Sequence, residues 1–582
     1  MSATAKTQKT SKLCRSFGKA AAFANKLWVI MLLSALLGAA IFISIYGVKI
    51  LDPTYEDWLF EGSDLTQHYI GWTFFRRSGW HFPLGLIDNI LGDIKISIMY
   101  TDSVPLFAIF FKLLSPILPE TFQYFGIMGL ITFMLNGSLS SLLIYRFNKN
   151  GVFCVLGSML YIVCPVILRR LYDHEALASH YIFFLGLILW LYQNREWKKK
   201  WQNYIMPPLL WGALGAFAVN IHLYFLPMIY CCMLGCIITD VFKYKKRLRP
   251  LLCFISLTLM ALLFMWLIGA FYTKNDTIAD GLGVYSANID TYWNPLYDEG
   301  SEFIEPIPVS NGQYEGYAYI GCGIMLGLYI AFIVLLNHIF SSKDSFTKTA
   351  KSIFRRRKIW LVAGTVVFCV SFFYALSPSC FFNERKIYDI FYPAFLVRLM
   401  SMFRATGRYA WVGMYFIFTI VIYCLSRMRR KTLMVLAIAA CVGLQYHDMQ
   451  GLIRTRRKYK TDQVYTYPYL VDPRWEQLAE GCDKFVGLSY DQPLPYIYDF
   501  SIFAYKHDMS INHFHIARPP LDDMIKQYDE TIERLSNGDA DEKSLYVFLP
   551  EEKIPEVEGS HIYELDGFHV VKFPNQYDPL SK

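Results

Sequence analysis

Asp57, Glu61, Asp64 and Asp102 lie within residues 48–120, with Asp88 and Asp93 among them. A carboxylate held within hydrogen-bond reach of a hydroxyl can take its proton and make the oxygen a nucleophile. The same stretch carries His68 and the pair Arg76-Arg77. Two more arginine pairs follow much further along, Arg169-Arg170 and Arg404 with Arg408. Guanidinium groups suit a departing phosphate, because their planar forks match its oxygens and keep their charge. Arg404 and Arg408 stand four apart, so a helix would set them on one face. His174 in "YDHEAL", His222 in "NIHLYF" and Glu315 in "QYEGYAYIG" complete the set. Each histidine can orient a phosphate or a hydroxyl. A carboxylate base with phosphate-binding cations is the equipment for moving a sugar from a lipid phosphate to an acceptor hydroxyl. The catalytic candidates are therefore Asp64, Glu61, Asp57 and Asp102. The substrate-binding candidates are His68, Arg76, Arg77, Arg169, Arg170, His174, His222, Glu315, Arg404 and Arg408.

Each residue also has a plainer reading. "DLTQ" fits a capping box, with Asp64 as the N-cap and Gln67 at N3. Such a cap still leaves one carboxylate oxygen free to act as a base. Arginine pairs anchor lipid headgroups. Single histidines sit as structural side chains at the interface, and the tyrosines around Glu315 fit an aromatic belt. That belt does not require Glu315. Charged groups close to a bilayer are usually paired, solvated in a cavity, or functional.

Long apolar elements must position these residues. Of 582 residues 54% are hydrophobic, 17% aromatic and 18% charged, the balance of a polytopic α-helical membrane protein. Lys6, Lys9, Lys12, Arg15, Lys19 and Lys26 place the N-terminal tail, residues 1–26, in the cytoplasm. "NREWKKKW" (194–201), "KYKKRLR" (243–249), "FRRRK" (354–358) and "RMRRK" (427–431) are cytoplasmic by the same rule. Fixing those ends predicts about eleven spans, at 27–47, 121–145, 152–168, 178–194, 203–220, 222–242, 250–272, 317–340, 359–376, 409–426 and 431–447. The first reads as a retained span, since it starts far into the chain and no small-residue cleavage site follows.

"SVPLFAIFFKLLSPILP" (103–119) is short and holds Pro105, Pro116, Pro119 and Lys112. It reads as an interfacial or re-entrant helix, because a crossing there would invert every later loop. Residues 48–120 then form a first outer loop with interfacial helices. The segments 169–180, 273–316 and 403–408 and the turn at His222 share its face. The basic excess sits in short clusters between spans, so nucleic-acid binding is excluded as the reason for it.

An odd number of spans leaves residues 448–582 outside. Between residues 461 and 582, ten Lys and Arg face twenty-three Asp and Glu, a net of −13 against the whole chain's +8. "KFVGLSY" and "KSLYVFLP" predict strands, and "HIYELDGFHVVKF" predicts a hairpin about Asp566-Gly567. Residues 520–538 predict an amphipathic helix with Leu521, Ile525, Tyr528, Ile532 and Leu535 on one face, stopped at Asn537-Gly538. A small extracytoplasmic α/β domain follows. His507, His513 and His515 lie close in sequence, and an HxH pair on a strand points both rings one way. No acid or cysteine spacing supports a metal there. Thirteen scattered cysteines form no CxxC pair and read as small buried side chains, with a Cys380–Cys482 bridge left open.

"GSDLTQHYIGWTFFR", "SIMYTDSVPLFAIFFK", "RRLYDHEALASHY", "YEGYAYIG" and "FRATGRYAW" resemble a bacterial family of polytopic proteins grouped with the C-type (GT-C) glycosyltransferases. The motifs span most of the membrane region, residues 27–447. The resemblance implies inverting transfer of a sugar from a polyprenyl-phosphate donor, at the outer face of the plasma membrane, to an envelope glycan, lipid or protein acceptor. It implies that an acid of the first loop is the base or anchors a metal. Asp64 is the best match, with Asp57, Glu61 or Asp102 as a second carboxylate. The adjacent paired acids common in that class are absent here. Both the identity of the base and the need for a divalent cation therefore stay open. Membrane lipids are expected partners. A lipid-linked glycan transporter or flippase, and a surface-polysaccharide polymerase or ligase, are the competing readings. A transporter expects polar or broken spans near the midplane and inverted repeats, which this sequence does not display.

Overall fold

The structure, a computed structural model, describes residues 25–194, 199–273, 281–340, 346–489 and 492–581, without side chains at 338–340 and 346–357. Lys6, Lys9, Lys12, Arg15 and Lys19, residues 195–198 of "NREWKKKW" and the arginines of "FRRRK" lie outside the described residues or side chains.

The chain is a polytopic helical membrane protein. Among the described residues seven helices are long and apolar enough to cross a membrane, or eight if the pair Lys431–Asp448 and Gln450–Lys460, bent by 52°, is one span. Helix Leu27–Tyr46 shows why: twenty residues without a charge span about 30 Å at 1.5 Å per residue, the thickness of the hydrocarbon core. Helix Leu248–Leu267 leaves Leu251, Phe254, Ile255, Leu259, Leu262 and Leu263 exposed, a surface that suits lipid and not water. Shorter apolar helices, Gly151–Ile162, Glu175–Leu191 and Cys322–Asn337, stand at three other predicted span positions. Every predicted span coincides with a helix, while length and apolarity by themselves select only the seven or eight.

Residues 103–119 form helix Pro105–Leu113 and a 3-10 turn, Ser115–Ile117. Nine helical residues reach about 14 Å, less than half of the roughly 30 Å core. The helix exposes Leu106, Phe110 and Leu113. Lys112 turns back, its Nζ 3.1 Å from the Gly79 carbonyl and over the rings of Phe75 and Trp80.

The loops that follow alternate helices meet at one end of the bundle. The Leu84 N–H donates to the Leu267 carbonyl, the Ala287 N–H to that of Ala375, and the Glu302 N–H to that of Asp448. At the opposite end Arg249, from the basic "KYKKRLR" cluster, is buried against Asp240, with Nε 2.8 Å from Oδ2. One of those basic residues thus serves a buried ion pair.

Two small antiparallel pairs support the loop end, β1 (Leu86–Ile87) with β2 (Ile96–Ser97) and β3 (Ser379–Phe382) with β4 (Arg385–Asp389). The C-terminal region builds a five-stranded sheet from β5 (Lys484–Leu488), β6 (Ser510–Ile511), β7 (Ser544–Phe548), β8 (His561–Leu565) and β9 (Phe568–Lys572). Its order is β6-β5-β7-β9-β8, with β5 parallel to both β6 and β7 and the rest antiparallel. The β8–β9 hairpin turns at Asp566 and Gly567, whose φ angles are 51° and 88°, the left-handed pair that a two-residue hairpin loop of this kind requires. Helix Leu521–Ser536 stops as expected, with Gly538 at φ 74°. Its apolar face is shorter than its pattern implied: Leu535 is buried, but Leu521 and Ile525 are 47% and 45% exposed. Cys380 and Cys482 are free thiols.

This sheet docks on the first loop. Ile511 donates to the Asn89 carbonyl and accepts from the Gly92 N–H, at 3.0 and 2.9 Å, and the Ala517 N–H reaches the Tyr100 carbonyl at 3.0 Å. Glu56 accepts from both Tyr69 and Tyr505, at 2.5 and 2.7 Å. The segment around His515 and Arg518 is thereby laid against the loop end of the bundle.

Candidate active site

Helix Asp64–Arg77 begins one residue earlier than "DLTQ" implied. Ser63 is the N-cap, without a side-chain capping bond, and Asp64 is the first helical residue. The capping box does not form. Thr66 closes the turn instead: its hydroxyl donates to the Leu59 carbonyl and accepts from the Gly62 N–H, at 2.9 and 3.0 Å. Asp64 is exposed and faces a cavity, and among the described residues its carboxylate makes no hydrogen bond or ion pair.

The cavity, of ≈ 520 Å³, is lined by Asp64, Asp102, His174, His222, Glu315, Arg404 and Arg408 among the predicted residues. Segments from the whole chain bring them there, so the polar motifs that looked scattered share one chamber. Tyr100, Tyr285, Tyr314, His515 and Arg518 also line it.

Glu315 anchors one wall. Its carboxylate accepts from Arg408 Nε at 2.8 Å and Nη2 at 3.1 Å, and from Arg170 Nη2 at 2.6 Å. Burial pushes the Glu315 carboxyl up, but the charges and hydrogen bonds of the two arginines outweigh it and hold it well below the ordinary carboxylate range. One acid against two arginines leaves this wall with a net positive charge. Arg408 also lies over the Tyr224 ring, at 4.4 Å. Arg404 is exposed beside Tyr285, 5.4 Å from its ring centre.

The two glycines in "YEGY" and "ATGR" make this tether. A Cβ on Gly407 would stand 2.6 Å from the Cα of Gly316, so only glycine lets the two turns cross. Gly407→Ala is expected to cost about 1–3 kcal/mol by overpacking, read as a lower unfolding midpoint in detergent. An unchanged midpoint would mean that the turns separate freely.

Asp102 anchors the opposite wall. His222 Nε2 lies 3.4 Å from Oδ1 and His174 Nε2 lies 3.9 Å from Oδ2. Burial pushes the Asp102 carboxyl up, yet the His222 hydrogen bond and charge, with His68 and Arg408, bring it below its ordinary value. Burial holds both neighbouring rings below the ordinary histidine value; for His174 the charges of His68 and His222 add to it, while for His222 the hydrogen bond and charge of Asp102 oppose it. The backbone here is left-handed at two side-chain-bearing residues, with φ 54° at Asp102 and 49° at Val104. Such conformations cost on the order of 1–3 kcal/mol and persist where neighbours enforce them. Ser103 supplies that grip, donating to the His68 carbonyl at 2.6 Å. Gly71 admits it: a Cβ there would meet Thr101 Oγ1 at 2.5 Å and Ser103 Oγ at 2.7 Å.

His68 stands just behind this wall. Its Nδ1 lies 2.7 and 2.8 Å from the two oxygens of the buried Glu175. Burial pushes the ring down, but the charge and hydrogen bond of Glu175 raise it to about 9. Ligand atoms of His68, Asp102 and His174 lie within 4.8 Å of one another, the set among the described residues that could hold a metal.

The remaining candidates face elsewhere. Glu61 pairs with Lys458 at 2.9 Å. Asp57 opens the 3-10 turn Asp57–Leu59, away from the cavity lining. Arg76 is taken by the carbonyls of Pro119 and Glu120, at 2.7 and 2.6 Å, and Arg77 by Asp508 at 2.7 Å. Arg169 meets Asp173 at 3.1 Å. Arg170 lies behind Glu315 and acts through it. Sequence reading passed over Glu175, although it sits in the same "DHEAL" motif as His174. It weighed His515 only as half of a metal pair and did not consider Arg518, which the charge balance of an acidic region hides.

A family model described as a domain of unknown function (DUF6311) matches residues 35–450, and the DUF6311 C-terminal domain matches residues 474–573. No curated protein matches the chain. Among solved structures the chain is similar to ArnT from Cupriavidus metallidurans in the apo state, at 10% identity and a TM-score of 0.43, over 92% of this chain and 97% of that one. ArnT of the same organism bound to undecaprenyl phosphate is similar at 10% identity and a TM-score of 0.41, with the same coverage.

Proposed function

For this chain, which belongs to the DUF6311 family, we propose a membrane glycosyltransferase that moves a sugar from a polyprenyl-phosphate donor to a hydroxyl of an envelope acceptor. The observation that carries this reading is the ≈ 520 Å³ cavity, in which the carboxylate of Asp64, unpaired among the described residues, shares one chamber with Arg404 and Arg408. An acid base and two phosphate-binding cations are what the reaction needs, and the resemblance of the surrounding motifs to GT-C enzymes agrees with it. Asp64 accepts the proton of the acceptor hydroxyl. The acceptor oxygen forms its bond to the anomeric carbon as the bond from that carbon to the phosphate oxygen breaks, with inversion. The lipid phosphate leaves with the electron pair, and Arg404 and Arg408 receive its charge. Asp102, held by His222, is poorly placed to be the base.

An apolar groove of ≈ 400 Å³, lined by Val370, Phe373, Tyr374, Leu396, Met400 and Tyr409 among others, adjoins the Arg404–Arg408 turn through Tyr409. It suits the start of an isoprenoid chain whose phosphate is at the arginines. The polar groups gather at one end of the bundle and not at its midplane, which favours an enzyme over a transporter.

The test is turnover in proteoliposomes, with a panel of labelled polyprenyl-phosphate sugars and an envelope lipid and glycan extract as acceptor. Coupled appearance of labelled acceptor and free polyprenyl phosphate is expected. Movement of intact donor between leaflets without release of lipid phosphate would replace this reading with a transporter.

A further inference from the structure

The geometry points to a divalent transition-metal site, with Zn²⁺ the best match, formed by His68, His174 and Asp102 on the cavity wall. The ligand set comes from three separate segments, and its candidate atoms lie within 4.8 Å of one another. The second shell is built as well as the first. Both oxygens of the wholly buried Glu175 hold His68 Nδ1. A carboxylate only accepts, so Nδ1 keeps its proton, and metal binding displaces the second ring proton from Nε2, which becomes the ligand nitrogen. His222 Nδ1 accepts from the Tyr224 N–H at 3.2 Å, which puts the His222 proton on Nε2, facing Asp102 Oδ1. His222 thus orients the carboxylate and leaves Oδ2 toward His174.

His174 supplies the independent sign of a ligand. It is only 6% exposed, it lines the cavity, and its Nδ1 has no hydrogen-bond partner among the described residues. The charge balance agrees: the buried carboxylate of Glu175 and the partly buried one of Asp102 stand among the imidazoles, and a dication taking the place of the second His68 proton neutralises them. Two imidazoles and one carboxylate are a zinc-type set that leaves coordination positions open. Tetrahedral zinc with bonds of about 2.1 Å sets its ligand atoms about 3.4 Å apart, so the three side chains close by up to about 1.4 Å on binding. Asp102 and His174 line the cavity, so the open positions face it. Resting on the transferase reading, a bound ion there would supply a Lewis acid for phosphate oxygens opposite Arg404 and Arg408.

Full-length protein in detergent, stripped with chelator, is titrated with Zn²⁺, and retained metal is measured by mass spectrometry after desalting. Co²⁺ absorption in a parallel sample reads the ligand set. About one equivalent is expected, with binding more than 10-fold weaker in His174→Ala and Asp102→Asn and about 10–100-fold weaker in Glu175→Gln. Because Asp102→Asn could disturb the strained turn, each variant's metal-free unfolding midpoint is compared with that of the stripped wild type. Failure of the wild type to retain stoichiometric Zn²⁺, or unchanged binding in folded His174→Ala and Asp102→Asn, overturns the site. The titration reads no turnover, so transfer without Zn²⁺ binding removes this site alone. Zn²⁺ binding without transfer removes the transferase reading alone.

Discussion

Asp64→Asn is expected to lower transfer from a polyprenyl-phosphate sugar by about 10²–10⁴-fold, with little change in stability. The magnitude is that of a positioned general base. The side chain keeps its shape and loses only its ability to take a proton. Stability should hold because Asp64 is the first helical residue and not the cap, and its carboxylate bonds to nothing among the described residues. The loss should fall on kcat, since a base acts in the transition state and not in ground-state binding. Glu61→Gln and Asp57→Asn are the controls: the first faces Lys458 and neither lines the cavity. Both should transfer close to the wild-type rate. Normal turnover by folded Asp64→Asn would remove Asp64 from the mechanism.

The second large effect is on folding. Glu315→Ala should destabilise the protein by about 3–5 kcal/mol, the usual result of removing one partner from a buried ion pair. It strands Arg408 and Arg170, which are 7% and 8% exposed. Arg170→Gln should cost clearly less, because Arg408 still satisfies Glu315 through two contacts. The check is unfolding in detergent micelles. Equal losses for the two variants would show that Glu315 is not the hub. The pH dependence has a definite sign. The folded-state Glu315 carboxyl is held below its ordinary value of 4.5. Its contribution is therefore complete above about pH 4.5 and is lost as pH falls through the folded-state value.

The elements were legible because their signals are local. Apolar runs mark each predicted span, the prolines and Lys112 mark 103–119 as too short and broken for a span, and Asp566-Gly567 marks a hairpin turn. The extent of the apolar face on Leu521–Ser536 was not legible, since burial depends on what packs against a helix and not on its own pattern. The failed capping box at Asp64 has a similar cause: whether Ser63 or Asp64 becomes the N-cap depends on where the Leu59–Gly62 turn is pinned, and Thr66 pins it.

The sequence by itself determined that this is a polytopic membrane chain, and it marked the acids, histidines and arginines from which a site could be drawn. Side-chain type sets the chemistry a residue can do, and hydrophobic periodicity is written along the chain. Only the tertiary structure decided which of those residues are available. Glu61 is taken by a lysine 397 residues away and Arg77 by Asp508, while Asp64 has no partner among the described residues. The same folding brings Asp102, His174 and Glu175 against His68, and lets Gly316 and Gly407 cross so that Glu315 can hold Arg408. A charge is spent or free according to its partner, and partners hundreds of residues apart are chosen by packing.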